Sequence, residues 1–469
     1  MPKKYHIETK KIAPRLPKIG KFGVVDWRED CARCHNCVKK ACVYDRYRQE
    51  MQYIRDLDEF NAMFFECMGC FSCVQKCTKG LLALTVNPKY EHMGNGYFTP
   101  DIILTTWNQA ETAGIPVSGA GYRGKFTGTG FDSMWTDMSE IVRPTRDGIH
   151  GREYISTAVD IGRKPKHLLF EDNKLKTSLL PLVDLPVPII IDMFPDKYHF
   201  PNLQPMLLAV AVKTGTMVIF NWEHHHLLGK YEEKHLSNII FYLGKETPMP
   251  TVDILKQLRL IEIADSDKTE QRIKEIKAVN PGLVVSVRVE LDAHGEERSI
   301  ALAHHPIVEA IHIVSDINGN QTGVEKPKFI KDMTRNIHTS LVKEGIRDEV
   351  TLIASGGIAL AEHMAKEIIC GADAITINMP LLIGLECRFC TNCRDGFVCP
   401  AKIETITTQY GVGRMTNLIA VWHDQLIEVM GAMGMREARR LRGETGRALF
   451  FEDLEEDTFG RLFGKRVGA

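Results

Sequence analysis

The sequence predicts an α/β protein built on a (β/α)8 TIM barrel, preceded by a cysteine-rich module and followed by a helical extension that carries further cysteines. Three observations predict it. From Pro186 onward, eight short apolar runs alternate with helical segments. Glycine-rich turns follow the last of these runs. Twelve of the thirteen cysteines fall into three groups, two ahead of the alternating region and one directly behind it.

The eight runs are Val187–Asp192, Thr216–Asn221, Asn238–Leu243, Leu258–Ala264, Leu283–Val289, Ala310–Asp316, Val350–Ser355 and Ala374–Asn378. They are rich in β-branched residues and lack polar alternation, as strands buried on both faces do. Helices are expected between them at Asn202–Lys213, Thr269–Ala278 and Lys328–Glu344, with a further one at Met415–Met435. A doubly wound open sheet is the alternative that the same alternation allows. His423, on the apolar periodicity of the last helix, reads as packed and not ligating, and Cys370, ending a helical run from Ala361, reads as a small core residue.

The cysteine groups are Cys31, Cys34, Cys37 and Cys42; Cys67, Cys70, Cys73 and Cys77; and Cys387, Cys390, Cys393 and Cys399, the last followed by Pro400. Triplets spaced C-x2-C-x2-C with a more distant fourth thiolate suit cubic iron–sulfur clusters, because soft anionic sulfur binds iron and one cube takes four ligands. Twelve ligands account for three 4Fe–4S clusters. Structural zinc favours two CxxC pairs or Cys/His mixtures. Disulfides would need an oxidising compartment, and the basic Met1–His6 stretch is no signal peptide. In a ferredoxin-like two-cluster domain the fourth cysteine of each run ligates the other cube. That pairing joins Cys31, Cys34 and Cys37 with Cys77, and Cys67, Cys70 and Cys73 with Cys42. The x4 gap before Cys42, and the absence of proline after Cys42 and Cys77, depart from the minimal ferredoxin pattern.

The expected organisation is therefore a basic arm (1–21), a ferredoxin-like domain (22–97), a connector or lid (98–182), the barrel (183–386), and a third-cluster loop with C-terminal helices (387–469). The connector contains a literal GxGxxG, Gly119 to Gly124, but Lys125 to Gly130 cannot open the helix that a dinucleotide site requires. The polar run Met138–Arg152 reads as a lid, an interdomain clamp or a solvated loop. A formal charge of −1 argues against nucleic acid, and no apolar run reaches the ~20 residues that span a bilayer. A cytoplasmic protein with redox partner proteins or subunits, part of an oligomer or complex, is expected.

Strand 7 ends in Ser355-Gly356-Gly357-Ile358 and strand 8 in Asn378-Met379. Backbone donors at such loops are where barrels usually hold phosphate. Clusters move single electrons whereas most substrates need two, so a flavin is the natural converter, and a single phosphate site suits FMN.

At these residues the chain resembles the FMN-binding domain family of glutamate synthases, above all the short archaeal type with a two-cluster ferredoxin domain. The carriers are Ser355-Gly356-Gly357-Ile358, Gly371-Ala372-Asp373-Ala374, and Leu385 through Pro400. The resemblance implies that Arg288 stands where the family has a strand-5 lysine near the flavin pyrimidine. It also implies that Ser315, Asp316, Gly319 and Gly323 form the phosphate loop after strand 6, and that Asn221 faces the ring. Cys390, added to the family's three-cysteine segment, implies 4Fe–4S at the third site where the family often has 3Fe–4S. The family's strand-1 signature, GMSFGALS in form, is here Asp192-Met193-Phe194-Pro195-Asp196. Its TGEGG-like strand-2 segment is here Asn221-Trp222-Glu223-His224-His225-His226, and its strand-4 segment shrinks to Ala264–Lys268. These segments carry the 2-oxoglutarate contacts in the family.

The expectation is an FMN- and iron–sulfur-dependent oxidoreductase that passes electrons between a ferredoxin-like partner and a flavin site without making glutamate. His224, Glu223 and Arg288 are its candidate catalytic groups. A ferredoxin-dependent glutamate synthase and an electron-transfer subunit without a substrate of its own are the alternatives.

Overall fold

The computed structural model describes residues 5–17, 19, 21–26, 34, 72–80, 82–114, 130–136, 155–195, 198, 200–390, 392 and 397–464. The GxGxxG at Gly119–Gly124, the run Met138–Arg152, and Cys31, Cys37, Cys42, Cys67, Cys70 and Cys393 lie outside these residues. The described chain forms two compact units. One comprises residues 1–12, 108–385 and 402–469, and the other residues 13–107 and 386–401.

The first unit contains a closed parallel barrel of eight strands in sequence order. They are β1 (Ile189–Ile191), β2 (Val218–Asn221), β3 (Ile239–Leu243), β4 (Leu260–Ala264), β5 (Val284–Glu290), β6 (Ala310–Val314), β7 (Thr351–Ser355) and β8 (Ala374–Ile377). Each lies within one of the eight predicted runs, save that β5 extends one residue beyond. Closure between β8 and β1 excludes the open doubly wound sheet. The strands read as unbroken apolar runs because helices cover their outer faces and side chains fill the interior.

The main helices are α1 (Leu203–Thr214), α2 (Val252–Gln257), α3 (Thr269–Val279), α4 (Gly295–His304), α5 (Ile330–Lys343), α6 (Ala361–Cys370), α7 (Met379–Gly384) and α8 (Thr408–Ala432). Thr407 caps α8 by accepting from the Tyr410 N–H, and Gly215, in the left-handed conformation, ends α1. Cys370 is fully buried. His423 is buried on α8 and packs edge-on against Tyr5, ring centroids 5.0 Å apart. No described helix is long and apolar enough to cross a membrane.

The extended residues 5–12 lie along α8. Asn417 Nδ2 donates to the Lys10 carbonyl at 2.7 Å, Asn417 Oδ1 accepts from the Lys10 N–H at 3.2 Å, and the Tyr5 hydroxyl donates to the Thr214 carbonyl. The segment expected to be a loop-heavy connector begins instead with a 13-residue helix, Pro100–Thr112. Proline suits its first turn, and Ile102, Ile103, Trp107 and Ala110 give it a buried stripe.

In the second unit, strand Phe22–Asp26 pairs antiparallel with Leu82–Val86, so the two N-terminal cysteine runs lie in sequence between paired strands. Cys73 is buried at the short helix Ser72–Gln75. The segment after α7 packs in this unit too. Arg15 forms an ion pair with the buried Glu386, Gly94 N–H donates to the Arg388 carbonyl, and Phe98 lies against Phe389 with centroids 4.7 Å apart.

One buried acid on α6 has a direct consequence. Glu367 accepts from Thr334 with Oε1, but its Oε2 has no partner, and burial pushes its carboxyl up to about 7. A folded pKa above the unfolded value of 4.5 means that native stability declines as pH rises from about 4.5 through about 7. Glu367→Gln removes that ionisation. Denaturant titrations should show the variant more stable by on the order of 2 kcal/mol at pH 8, with the difference largely gone at pH 5.

Candidate functional site

The C-terminal mouth of the barrel is crossed by a layer of polar side chains drawn from six strands or the positions just after them. Asp192 follows β1, Glu262 lies on β4, Arg288 on β5, His312 on β6, Ser355 ends β7 and Thr376 lies on β8. Parallel register sets neighbours level with one another: Arg288 pairs with His312, and Ser355 with Thr376. Arg288 is the hub. Its Nη1 donates to Asp192 Oδ1 at 3.0 Å and to Glu262 Oε1 at 2.9 Å, and its Nη2 donates to Asp192 Oδ2 at 3.1 Å. The Ser355 hydroxyl (2.8 Å) and the Thr376 hydroxyl (3.2 Å) also donate to Asp192 Oδ2, and His312 Nδ1 lies 2.7 Å from Glu262 Oε2.

Both carboxylates are 1% exposed, whereas the Arg288 side chain keeps 13% of its surface open. Burial is the largest single influence on Asp192 and by itself would raise its carboxyl. Arg288, His312 and the Ser355 hydroxyl together outweigh it and hold the group ionised, well below the ordinary carboxylate range. The same contest, burial against His312 and Arg288, also ends with Glu262 lowered. Burial opposes the charge on Arg288, and the two carboxylates more than restore it. The guanidinium has five N–H groups. The carboxylates take both on Nη1 and one on Nη2, which leaves Nε–H and the second Nη2–H for a group placed at the mouth.

The loops after β6 and β7 meet beside this layer. Asp316 Oδ1 accepts from the N–H groups of Asn318 and Asn320, which closes the turn at Gly319. Ser315 Oγ donates to the Ser355 carbonyl at 3.0 Å. A Cβ on Gly357 would stand 2.7 Å from the Gly319 Cα, and one on Gly319 would strike the Phe329 ring. These two glycines are thus required by close backbone approach, in addition to any role toward phosphate. Gly356 and Gly357 have φ of +102° and +68°. Gly323 is left-handed too, but open space surrounds its α-carbon.

Asn378 and Met379, expected to add phosphate donors, meet each other: Asn378 Oδ1 accepts from the Met379 N–H to cap α7, while its Nδ2 holds the Met193 carbonyl. Asn221 accepts from the Glu223 N–H, and Glu223 accepts from the Thr247 hydroxyl. His225 stacks on Trp222 at 4.0 Å, and His226 is exposed. His224 lines a cavity together with Asn221. The sequence reading did not single out Glu262, His312 or Thr376, and it took Asp192 for a lost motif. The available signal was a lone charged or polar residue inside each apolar strand, Leu260–Ala264 and Ala310–Val314.

In the second unit the described thiols of the third group sit on an unusual loop. Glu386 and Phe389 adopt left-handed φ of +70° and +52° without being glycine. That conformation lets the Phe389 N–H donate to Cys387 Sγ at 3.4 Å, while Trp107 Nε1 donates to the Cys387 carbonyl. Cys387 is buried, and Cys390 and Cys399 are half-buried. In the N-terminal runs, Cys73 is buried, Cys77 half-buried and Cys34 exposed.

An eight-stranded parallel barrel with a charged layer across its C-terminal mouth is the architecture of a (β/α)8 enzyme. Residues 247–436 match the family described as a conserved region in glutamate synthase. An archaeal-type glutamate synthase (NADPH) of Dehalococcoides mccartyi is 24% identical over 90% of this chain and 93% of its own length. The archaeal glutamate synthase (NADPH) of Archaeoglobus fulgidus is 24% identical over 93% and 96%, and that of Methanocaldococcus jannaschii 27% over 74% and 80%. The chain is thus similar to archaeal-type glutamate synthases along most of its length, and it is an oxidoreductase.

Proposed function

We propose that the protein binds FMN at the barrel mouth and three 4Fe–4S clusters, and passes electrons between a ferredoxin-like partner and a substrate other than 2-oxoglutarate. The observation that carries this reading is the Asp192–Glu262–Arg288 layer. Arg288 has two N–H groups outside its ion pairs, and such donors fit the carbonyl acceptors on the pyrimidine edge of a flavin. Its charge is already offset by two carboxylates, so the layer offers no surplus positive charge to a dicarboxylate substrate. When bound, the flavin supplies the exchange between single-electron and two-electron chemistry.

This chain's own residues would do the rest. The turn at Ser355, Gly356 and Gly357, with Ser315 and Gly319 beside it, would orient the phosphate. Asp192 and Glu262 fix the guanidinium plane, and His224, on the rim, is the candidate to exchange a proton with substrate. For the clusters, the donor chemistry fits. Cys387 receives a backbone N–H, as an anionic sulfur ligand does, and it follows Ile377 at the end of β8 by only ten positions. The paired strands around the N-terminal runs support a ferredoxin-like module. Thiolates kept for iron suit a reducing, cytoplasmic setting. Glutamate synthesis is the second reading, favoured by the names of relatives that align along nearly the whole chain.

Anaerobic purification with iron, sulfide and flavin quantified, followed by assay with reduced ferredoxin, glutamine and 2-oxoglutarate, separates the readings. About twelve irons and one FMN per chain, with no glutamate formed, is the expected result. Glutamate formation would establish the second reading, and a chain purified without flavin would overturn both.

A further inference from the structure

A second feature of the mouth bears on the substrate itself. Between the turn after β1, the end of β2 and the start of α1 lies a cavity of about 120 Å³. Phe194, Phe200 and Leu207 are among its walls, and Asn221 and His224 stand at its rim. No lysine or arginine lines it among the described residues. Among the polar residues that line it, which include Tyr198, Asn221 and His224, Gln204 in the first turn of α1 is 8% exposed, and its Oε1 is buried without any hydrogen-bond partner. A buried amide oxygen left unpaired is costly in a folded protein, and the cost disappears when a ligand brings a donor to it.

The geometry points to this cavity as a subsite for a small neutral apolar group, from a branched aliphatic chain to a single ring, that carries an N–H or O–H donor for Gln204 Oε1. The inference deepens the proposed function, because it says what replaces a dicarboxylate at the altered β1 and β2 ends. Apolar walls hold the group by burial, and the size lies near that of cavities that accept a single aromatic ring. The unpaired acceptor selects for a donor, since a ligand without one leaves Gln204 Oε1 unsatisfied. A carboxylate would meet that acceptor and apolar walls, with no lysine or arginine among the lining residues to offset its charge.

Direct binding to the full-length protein as purified tests this without turnover. Phenol, toluene and 2-oxoglutarate serve as probes in ligand-observed NMR, and flavin content is measured separately on the released chromophore. Phenol should bind, toluene should bind about tenfold more weakly, and 2-oxoglutarate should not displace phenol. Gln204→Leu should erase the preference for phenol while keeping toluene. Leu207→Phe, which fills the cavity, should abolish both. Equal binding of phenol and toluene, displacement by 2-oxoglutarate, or release of flavin by phenol would each overturn the subsite. Absence of flavin from a protein that still discriminates phenol from toluene would sink the proposed function and leave the subsite standing.

Discussion

Arg288→Met is expected to lower the unfolding free energy by about 3–5 kcal/mol, because it leaves two carboxylates buried with no cation between them. Asp192 and Glu262 are each 1% exposed, and the remaining hydroxyls and His312 cannot replace a charge that touches both. The pH dependence should identify the cause. In the native protein both acids are lowered, so the stability they contribute is complete above the unfolded carboxylate range near pH 4, and it is lost as acid drives them through their lower folded values. In the variant the cation is gone and burial dominates, which raises both carboxyls. Its stability should therefore increase as pH falls from 8 to 5, where the native protein changes little through these groups. Adding Asp192→Asn and Glu262→Gln to the variant should recover most of the loss, as expected when a buried charge set is neutralised together. Urea denaturation at pH 5 and pH 8 reads all three. A variant as stable as the native chain would show that the layer is not a charge-balanced unit.

The second large effect is expected at Gly357. Gly357→Ala places a methyl 2.7 Å from a backbone atom of Gly319 and 3.2 Å from the Phe329 ring, at a φ of +68° that alanine adopts poorly. The obstructing atom is main chain, so relief requires the loops after β6 and β7 to part. Stability should fall by about 2–4 kcal/mol, and bound flavin should be lost on gel filtration. Gly323→Ala is the control. It has nearly the same φ, +69°, with nothing within 4 Å, so it should cost only the left-handed strain of about 1–2 kcal/mol and keep the flavin. Equal behaviour of the two variants would mean that backbone conformation alone, and not the approach of the two loops, sets the requirement for glycine.

The barrel was legible because its strands are covered on both sides, which turns most into apolar runs such as Ile189–Ile191 or Ile239–Leu243. The same pattern concealed the polar layer. Glu262 and His312 each interrupt such a run once, and a single interruption does not change the periodicity by which strands are found. What pairs them is closure of the barrel, which sets Asp192 beside an arginine 96 positions away. Arg288 was found through resemblance, as a cation for flavin. Its partners were not, because Asp192-Met193 differs from the strand-1 signature of the family the chain resembles. The helix Pro100–Thr112 was obscured by the glycine-rich stretch that follows it. The histidines after β2 read as one cluster, yet the 3-10 turn that holds them sends His225 onto Trp222 and His224 toward a cavity.

The arm at residues 5–12 bears on the order in which this molecule is assembled. Lys10 bonds to Asn417, 407 positions later, so the segment at residues 5–12 finds its seat only after α8 has been synthesised. The barrel strands, which lie between the two, can associate while residues 5–12 wait. Closing that seat follows the barrel's synthesis, and a nascent chain halted before α8 should leave residues 5–12 open to protease.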